Sequence, residues 1–249
     1  MITTQGNHSL PTKKLARRDF SVALCRFLGY NTSQVVLIFQ EGMIITMSVY
    51  PALPSIPHSG DEPLLNTTLS SYWAWAHSNL MDNAERGALA EFLVKQAVGD
   101  ESATRTNWDA YDLLSPEGIK VEIKASGYLQ SWEQDKLSNI VFSIRPTYGW
   151  DARTNSTDTV MRRQSDVYVF CLHKHKEQST VNPLDIEQWE FYVVPTRTLN
   201  EKCGDQKTIS LSGLQALGIE PVAYDSIKKE ILRTTNAQER ISETDRRES

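Results

Sequence analysis

Two carboxylates and a lysine near the middle of the chain have the types and spacing of a metal-dependent catalytic site. Asp112 precedes Glu122 by ten residues, and Lys124 follows Glu122 by two. Side chains of a β-strand point alternately to opposite faces, so Glu122 and Lys124 are expected on one face of a strand. Val121 and Ile123 then point to the other face, towards a hydrophobic core.

A tight turn is predicted to bring Asp112 to the same face. The segment Ser115–Gly118 consists of Ser, Pro, Glu and Gly, which are favoured in turns, and it would fold an acidic strand back against the strand of Glu122. Mg²⁺ takes oxygen ligands and keeps several waters, so one or two carboxylates suffice. The pattern therefore favours Mg²⁺ or Mn²⁺ held by Asp112 and Glu122, with the Ile123 carbonyl as a further ligand. Lys124 would orient the attacking water or balance charge on a phosphate.

A purely structural interpretation of the same residues stays open. A cross-strand Glu–Lys pair stabilises a sheet by roughly 0.2–1 kcal/mol, which is reason enough for such a pair to exist. In that case the acidic hairpin would be an exposed hairpin without a catalytic role, on an unrelated α/β domain.

The same residues resemble the PD-(D/E)XK, or restriction-endonuclease-like, nuclease superfamily. Its pattern is an acidic residue, a gap of about this size, and then Glu/Asp-x-Lys on the next strand, matched here by Asp112 and by Glu122, Ile123 and Lys124. Tyr111 stands where the superfamily name has proline, a position that varies freely. The resemblance implies an α/β fold with a restriction-endonuclease-like core, in which helices flank a mixed central sheet. It also implies hydrolysis of phosphodiester bonds.

A helix with a metal-directed glutamate is expected upstream of the hairpin. Residues Asn83–Val98 follow helical spacing, with Asn83 as N-cap and Gly99 as stop. Superfamily members often carry a glutamate on this helix that reaches the metal directly or through water. Glu91 is the preferred candidate and Glu85 the competitor, and a solvated helix carboxylate is the alternative for at least one of them.

The polar stretch after Lys124 is a second place where the resemblance implies a site residue. Relatives often have a helix here with a glutamine or lysine pointing into the site, and Gln134 or Gln130 would take that role. Further on, Arg145–Gln164 is long, polar and rich in turn-forming residues, as functional or mobile loops are. Its arginines would contact phosphate if they face the cleft, or else the segment is a solvated loop; they are Arg145, Arg153, Arg162 and Arg163.

The rest of the chain supplies strands and helices for an α/β core. Strands are predicted at Ile140–Ile144, Asp166–Leu172 and Trp189–Val194, the second being apolar enough to be covered on both faces. A strand, a turn and a short helix are expected over Thr208–Leu217, and an amphipathic helix over Tyr224–Thr234.

A proline-rich linker at residues 51–63 divides the chain. Before it, residues 1–50 form a small extension with a predicted helix (Arg18–Leu28) and a predicted hairpin (Gln34–Tyr50). The nuclease-like domain is expected over residues 64–235. The charged tail, residues 236–249, has no apolar stripe and is predicted to be disordered.

Composition limits the class of protein and its expected location in the cell. The 249 residues are 40% hydrophobic, which is enough for one good-sized domain, and the net charge of -5 excludes a generally basic nucleic-acid coat protein. Three scattered cysteines, no signal-peptide pattern and no long apolar run predict a cytoplasmic protein that does not enter a membrane.

The sequence therefore predicts a metal-dependent endonuclease that cuts DNA, with a role in restriction, repair or defence. RNA as substrate stays open, and the resemblance allows a homodimer, since many members dimerise to cut both strands. The alternative is a nucleic-acid-binding or scaffold protein that retains the fold with little catalysis.

Overall fold

The computed structural model describes residues 34–38, 44–48, 56–102, 104–105, 110–151 and 156–235. Contacts between residues divide the chain into two units, Met1–Leu53 and Pro54–Ser249. In the first unit, β1 (Gln34–Ile38) pairs antiparallel with β2 (Ile44–Ser48). The helix predicted at 18–28 and the tail from 236 lie outside the described residues.

The described part of the second unit is a mixed α/β structure with five α-helices and several small sheets. Its elements in chain order are β3 (Pro63–Leu64), β4 (Thr67–Thr68), α1 (Leu69–His77), α2 (Asn83–Val98), β5 (Leu113–Leu114), β6 (Lys120–Gly127), β7 (Val141–Ser143), β8 (Thr147–Asp151), β9 (Ser156–Arg162), β10 (Val167–His173), β11 (Trp189–Pro195), α3 (Thr196–Cys203), β12 (Thr208–Ser210), α4 (Leu211–Ala216) and α5 (227–235).

The central sheet is mixed and has the strand order β11-β10-β6-β5. Strand β10 runs parallel to β6 and antiparallel to β11, and β5 runs antiparallel to β6. Every residue of β10 is buried, because both faces of the sheet are covered. The buried strand predicted at Asp166–Leu172 is thereby confirmed.

The two faces of the sheet pack into separate hydrophobic cores. On one face, Val121 and Ile123 of β6 pack with Val94 of α2 and Ile231 of α5. On the other face, Phe170 of β10 packs with residues of β7, α3 and α4. This alternation places Glu122 and Lys124 on the second face, opposite the α2 side, as the strand periodicity predicts.

Helix α2 has the predicted bounds but a different cap. Asp82 is the N-cap, and its carboxylate accepts a hydrogen bond of 2.9 Å from the Ala84 N–H. Asn83, predicted as the cap, is the first helical residue, and its side-chain oxygen accepts a hydrogen bond from Arg86 instead. Gly99 ends the helix with a φ of +75°, which a glycine adopts without steric cost.

Two predictions about the segment after β6 need correction. The strand predicted at Ile140–Ile144 exists as β7, but it pairs with β12 in a sheet of two strands and not with the central sheet. Within the segment predicted as a long loop, Arg145–Gln164, strands β8 and β9 pair antiparallel, with an irregularity between Tyr148 and Trp150. Local sequence does not specify the β7–β12 pairing, because these two strands are far apart in the chain.

None of the helices in the described part of the chain has the length and apolar character that a membrane span requires.

Candidate active site

The β5–β6 hairpin brings Asp112 beside Glu122. Gly118, with a φ of +83°, lies in the turn, and its N–H donates to the Ser115 carbonyl over 2.8 Å. The backbone N–H of Asp112 donates to the Val121 carbonyl over 3.1 Å, so the pairing continues to the residue before β5. Asp112 therefore lies at the edge of the sheet, next to the strand that carries the Glu-x-Lys triplet.

The carboxylate of Asp112 is fixed by the neighbouring strand. Its Oδ2 accepts a hydrogen bond of 2.6 Å from the backbone N–H of Ile123. Burial, and next the negative charge of Glu122, raise the pKa of Asp112 from 3.8 to about 6, although Lys124 and the hydrogen bond from Ile123 act in the opposite direction. The side chain is thus held at a place where burial, and next Glu122, disfavour its charged form.

Glu122 and Lys124 form an ion pair on the same face of β6. In the register of the sheet they lie beside Tyr168 and Phe170 of β10. Burial lowers the pKa of Lys124, but the charges of Glu122 and Asp112 outweigh it and raise that pKa above its ordinary value of 10.5. Lys124 is therefore a protonated ammonium at neutral pH, able to donate hydrogen bonds and to offset negative charge.

A cleft of about 250 Å³ opens over this ion pair. Hydroxyl groups and two further cations face it in addition to Glu122 and Lys124. The further lining residues are Ser143, Arg145, Thr147, Tyr168, Lys207 and Thr208. The cleft thus lies between Glu122 and Lys124 of the central sheet and two cations at the end of the β7–β12 sheet.

Glu91 lies near Asp112, at a cleft whose lining does not include Glu122 or Lys124. Both residues line a second cleft, of about 610 Å³, and the charge of Glu91 contributes to the raised pKa of Asp112. The carboxylate of Glu91 binds the Arg105 guanidinium through two hydrogen bonds of 2.5 and 2.6 Å. Glu85 instead contacts the His77 imidazole over 3.1 Å. Of the two helix carboxylates, only Glu91 shares a cleft with Asp112 in the described part of the chain.

Gln134 lies in a different environment from the other candidates. Its side-chain oxygen accepts from the Gln130 N–H over 2.7 Å, and its amide nitrogen donates to the Tyr128 carbonyl over 3.2 Å. It lines a separate cleft with Lys136 and Lys176. The segment around Gln134 forms no helix, so the amide holds a loop together and is not directed at Glu122 and Lys124.

Gln130, the alternative to Gln134, is also used by the loop. Its side-chain oxygen accepts from Arg86 over 2.6 Å, and its amide nitrogen donates to the Gly127 carbonyl over 2.9 Å. Arg86 is buried, and its guanidinium also donates to the Leu129 carbonyl over 2.8 Å. Helix α2 is thereby tied to the chain that follows β6.

The arginines of residues 145–164 take different roles. Arg145 faces the cleft over Glu122 and Lys124. Arg162 pairs with Asp158 at 2.9 Å on the β8–β9 hairpin. Arg163 is buried and bonded to protein acceptors, so it is a structural residue. Arg153 lies outside the described residues. The sequence gives no sign of Lys207, which directly precedes the strand predicted from Thr208 and has no local pattern to connect it with Glu122.

The donor set fits a hard divalent cation. In the described ranges, no three His, Cys, Asp or Glu side chains are grouped closely enough to hold a metal ion by themselves. Asp112 and Glu122 supply two neighbouring carboxylates, which is the protein contribution that Mg²⁺ needs when waters complete its shell. Burial first, and then the charge of Glu122, raise the pKa of Asp112, and a bound cation would favour its charged form again.

Comparison with known proteins places these features in a family. Glu122, Lys124 and exposed cations line one cleft of this α/β protein, and Asp112 lines the neighbouring one. Carboxylates and cations gathered in this way suit chemistry on phosphate esters. A family model described as bacteriophage T4 endonuclease IV matches residues 66–213, well over half of the chain. The chain therefore belongs to the bacteriophage T4 endonuclease IV family, and this membership supports endonuclease activity on DNA. No curated protein matches the chain significantly.

Proposed function

We propose that the chain is a divalent-metal-dependent DNA endonuclease of the PD-(D/E)XK type. The observation that carries this proposal is the hydrogen-bonded edge at which Asp112 and the Glu122–Lys124 pair lie together, beside a cleft with free cations. The family match extends over this whole edge, since residues 66–213 contain all three side chains.

Asp112 and Glu122 bind Mg²⁺ or Mn²⁺ in this proposal, with the Ile123 carbonyl as a further ligand. Glu91 would assist through a direct or water-mediated contact, since each of its oxygens accepts one hydrogen bond from Arg105 and keeps a further lone pair. When bound, the metal supplies Lewis acidity that polarises a phosphate oxygen and lowers the pKa of water. The protein residues hold their charges ready in fixed positions, which avoids reorganisation during the reaction.

Lys124 orients the attacking water and stabilises charge on the phosphate. Because the carboxylates hold it protonated, it acts as a hydrogen-bond donor and not as a base. The water attacks phosphorus in line with the bond that breaks, the proton of the water leaves to solvent or to a phosphate oxygen, and the leaving oxygen takes up a proton. Cleavage produces one phosphate end and one hydroxyl end. Tyr168, whose pKa is raised by burial, stays protonated as a further donor at the cleft.

The test is cleavage of plasmid and linear DNA in Mg²⁺ or Mn²⁺ by wild type, Glu122→Ala and Lys124→Ala. The matched controls are Glu117→Ala and Lys228→Ala, because these residues form another Glu–Lys pair, at 3.0 Å, away from the cleft. We expect both site variants to lose activity by at least about 10²-fold and both controls to retain it. Folded wild-type protein that binds DNA but does not cut DNA or RNA with either metal would favour the binding-protein alternative.

A further inference from the structure

Two cations at the cleft lack the carboxylate partner that most arginines in the described part of this acidic chain have. Arg145 and Lys207 are exposed and line the cleft over Glu122, and neither forms an ion pair with any residue that the structure describes. Other exposed arginines of the described residues pair with nearby carboxylates. Examples are Arg162 with Asp158, Arg197 with Glu201 and Arg233 with Glu230. Two unneutralised cations beside a carboxylate site are available for an external anion.

We propose that Arg145 and Lys207 are a phosphate-binding pair, which holds the DNA backbone next to the phosphodiester that is cut. This inference rests on the proposed function and names the residues that place its substrate. A net charge of -5 repels DNA at long range, so local cations must provide the attraction. The pair supplies it at the cleft that leads to Lys124.

Both cations come from one rigid part of the fold. The Ile144 N–H donates to the Lys207 carbonyl over 2.9 Å, so Arg145 and Lys207 leave the β7–β12 sheet at the same end. Ile144 is fully buried, which fixes the backbone immediately before Arg145. A short sheet that is anchored in this way presents both side chains at low entropic cost.

The buried guanidinium of Arg163 ties the two segments together. It donates to the Ile144 carbonyl over 2.8 Å and to the Gln206 carbonyl over 3.2 Å. These are the residues directly before Arg145 and Lys207. One buried cation therefore joins the backbones that carry the two exposed ones, and this accounts for a burial that would otherwise be costly.

The chemistry of the cleft suits a phosphodiester. A guanidinium binds phosphate oxygens in a bidentate way, and a lysine supplies a mobile point charge. Ser143, Thr147 and Thr208 place hydroxyl donors along the same wall. Contacts of this type position a nucleic acid without reading its sequence, so we expect the pair to act on all DNA sequences alike.

The experiment measures binding apart from cleavage. Glu122→Gln in EDTA is titrated with fluorescein-labelled duplex and single-stranded oligonucleotides, alone and combined with Arg145→Ala, Lys207→Ala or both. We expect each substitution to weaken binding roughly tenfold on every sequence, as loss of one charge-assisted contact does. The slope of log affinity against log salt on duplex DNA should fall by about 1 for each residue removed.

Arg233→Ala is the matched control, because it removes one positive charge at an exposed position paired with Glu230 and away from the cleft. Equal loss of affinity in Arg233→Ala, or unchanged affinity and salt slope in the double variant, would overturn the phosphate-binding pair. Cleavage by the wild type is scored separately. Active wild type with an unaffected double variant refutes only the pair, whereas inactive wild type with weakened double-variant binding refutes only the metal-dependent nuclease.

Discussion

The Oδ2 atom of Asp112 accepts a hydrogen bond of 2.6 Å from the backbone N–H of Ile123. This bond joins the end of one short strand to the middle of the next, between the two residues whose side chains form the Glu122–Lys124 ion pair. It fixes the Asp112 carboxylate at a position where burial and Glu122 disfavour its charge. A bound divalent cation would give that unfavourable position a use, because it would favour the charged carboxylate.

Asp112→Asn should stabilise the metal-free protein at neutral pH. The folded pKa, about 6, is above the ordinary 3.8, so the stability gained by protonation is complete below about pH 4 and is lost as pH rises through 6. Asparagine keeps the side-chain oxygen and removes the charge. At 1.36 kcal/mol per pKa unit, the gain in the free energy of unfolding above pH 6 has an upper bound of about 3 kcal/mol. Urea unfolding in EDTA at several pH values measures it.

The matched control is Asp61→Asn, at an exposed aspartate in the same unit, which should change the free energy of unfolding by less than about 0.5 kcal/mol. Asp112→Asn should also abolish cleavage, so stability and activity move in opposite directions. A variant that is less stable than wild type at pH 8, or equally active, would contradict the assigned role of Asp112.

Glu91→Gln should reduce cleavage while Glu85→Gln should not. Glu91 shares a cleft with Asp112 and acts on its charge, whereas Glu85 contacts His77. Substitution of groups that support a metal site costs roughly 10–100-fold in metal affinity or activity. Titration of cleavage rate against Mg²⁺ should show a higher metal requirement for Glu91→Gln. The reverse ranking of the two variants would make Glu85 the helix carboxylate.

Gly127→Ala and Gly87→Ala should have opposite effects on stability. A Cβ at Gly127 would lie 2.3 Å from Nη1 of the buried Arg86, which is held by Leu129 and Gln130, so overpacking should destabilise the protein by roughly 1–3 kcal/mol. A Cβ at Gly87 meets nothing within 4 Å, and alanine in a helix should stabilise by roughly 0.5–1 kcal/mol. Thermal unfolding of both variants measures the two effects. An unchanged stability of Gly127→Ala would show that the Arg86 side chain is free to move.

The proposed catalytic edge could be predicted because its geometry is local. Strand alternation fixes the common face of Glu122 and Lys124, and the Ser115–Gly118 turn fixes the return of Asp112. Helix α2 and strand β10 were predicted for the same reason, since periodicity and continuous apolar character are visible within a short window. These elements position three of the candidate residues without any long-range information.

The other half of the cleft could not be predicted, because it depends on contacts between distant residues. Lys207 comes close to Glu122 and Lys124 through the pairing of β7 with β12. Arg163 has the sequence context of an exposed loop arginine, and its structural role follows from its hydrogen bonds to the Ile144 and Gln206 carbonyls. The sequence alone is equally unable to assign the roles of the Gln130 and Gln134 side-chain amides. Their hydrogen bonds to the chain between β6 and β7, and not their spacing from Lys124, decide what they do.

Binding of Mn²⁺ to the DNA-free protein, followed by cleavage on the same samples, tests the central claim most directly. Chelator-treated wild type, Asp112→Asn and Glu122→Gln are titrated with Mn²⁺, and electron paramagnetic resonance measures the free ion. The account predicts saturable binding to wild type, cleavage that rises with occupancy, and loss of both in the two variants. Full cleavage by chelator-treated wild type, or unchanged Mn²⁺ binding and cleavage in Glu122→Gln, would contradict it.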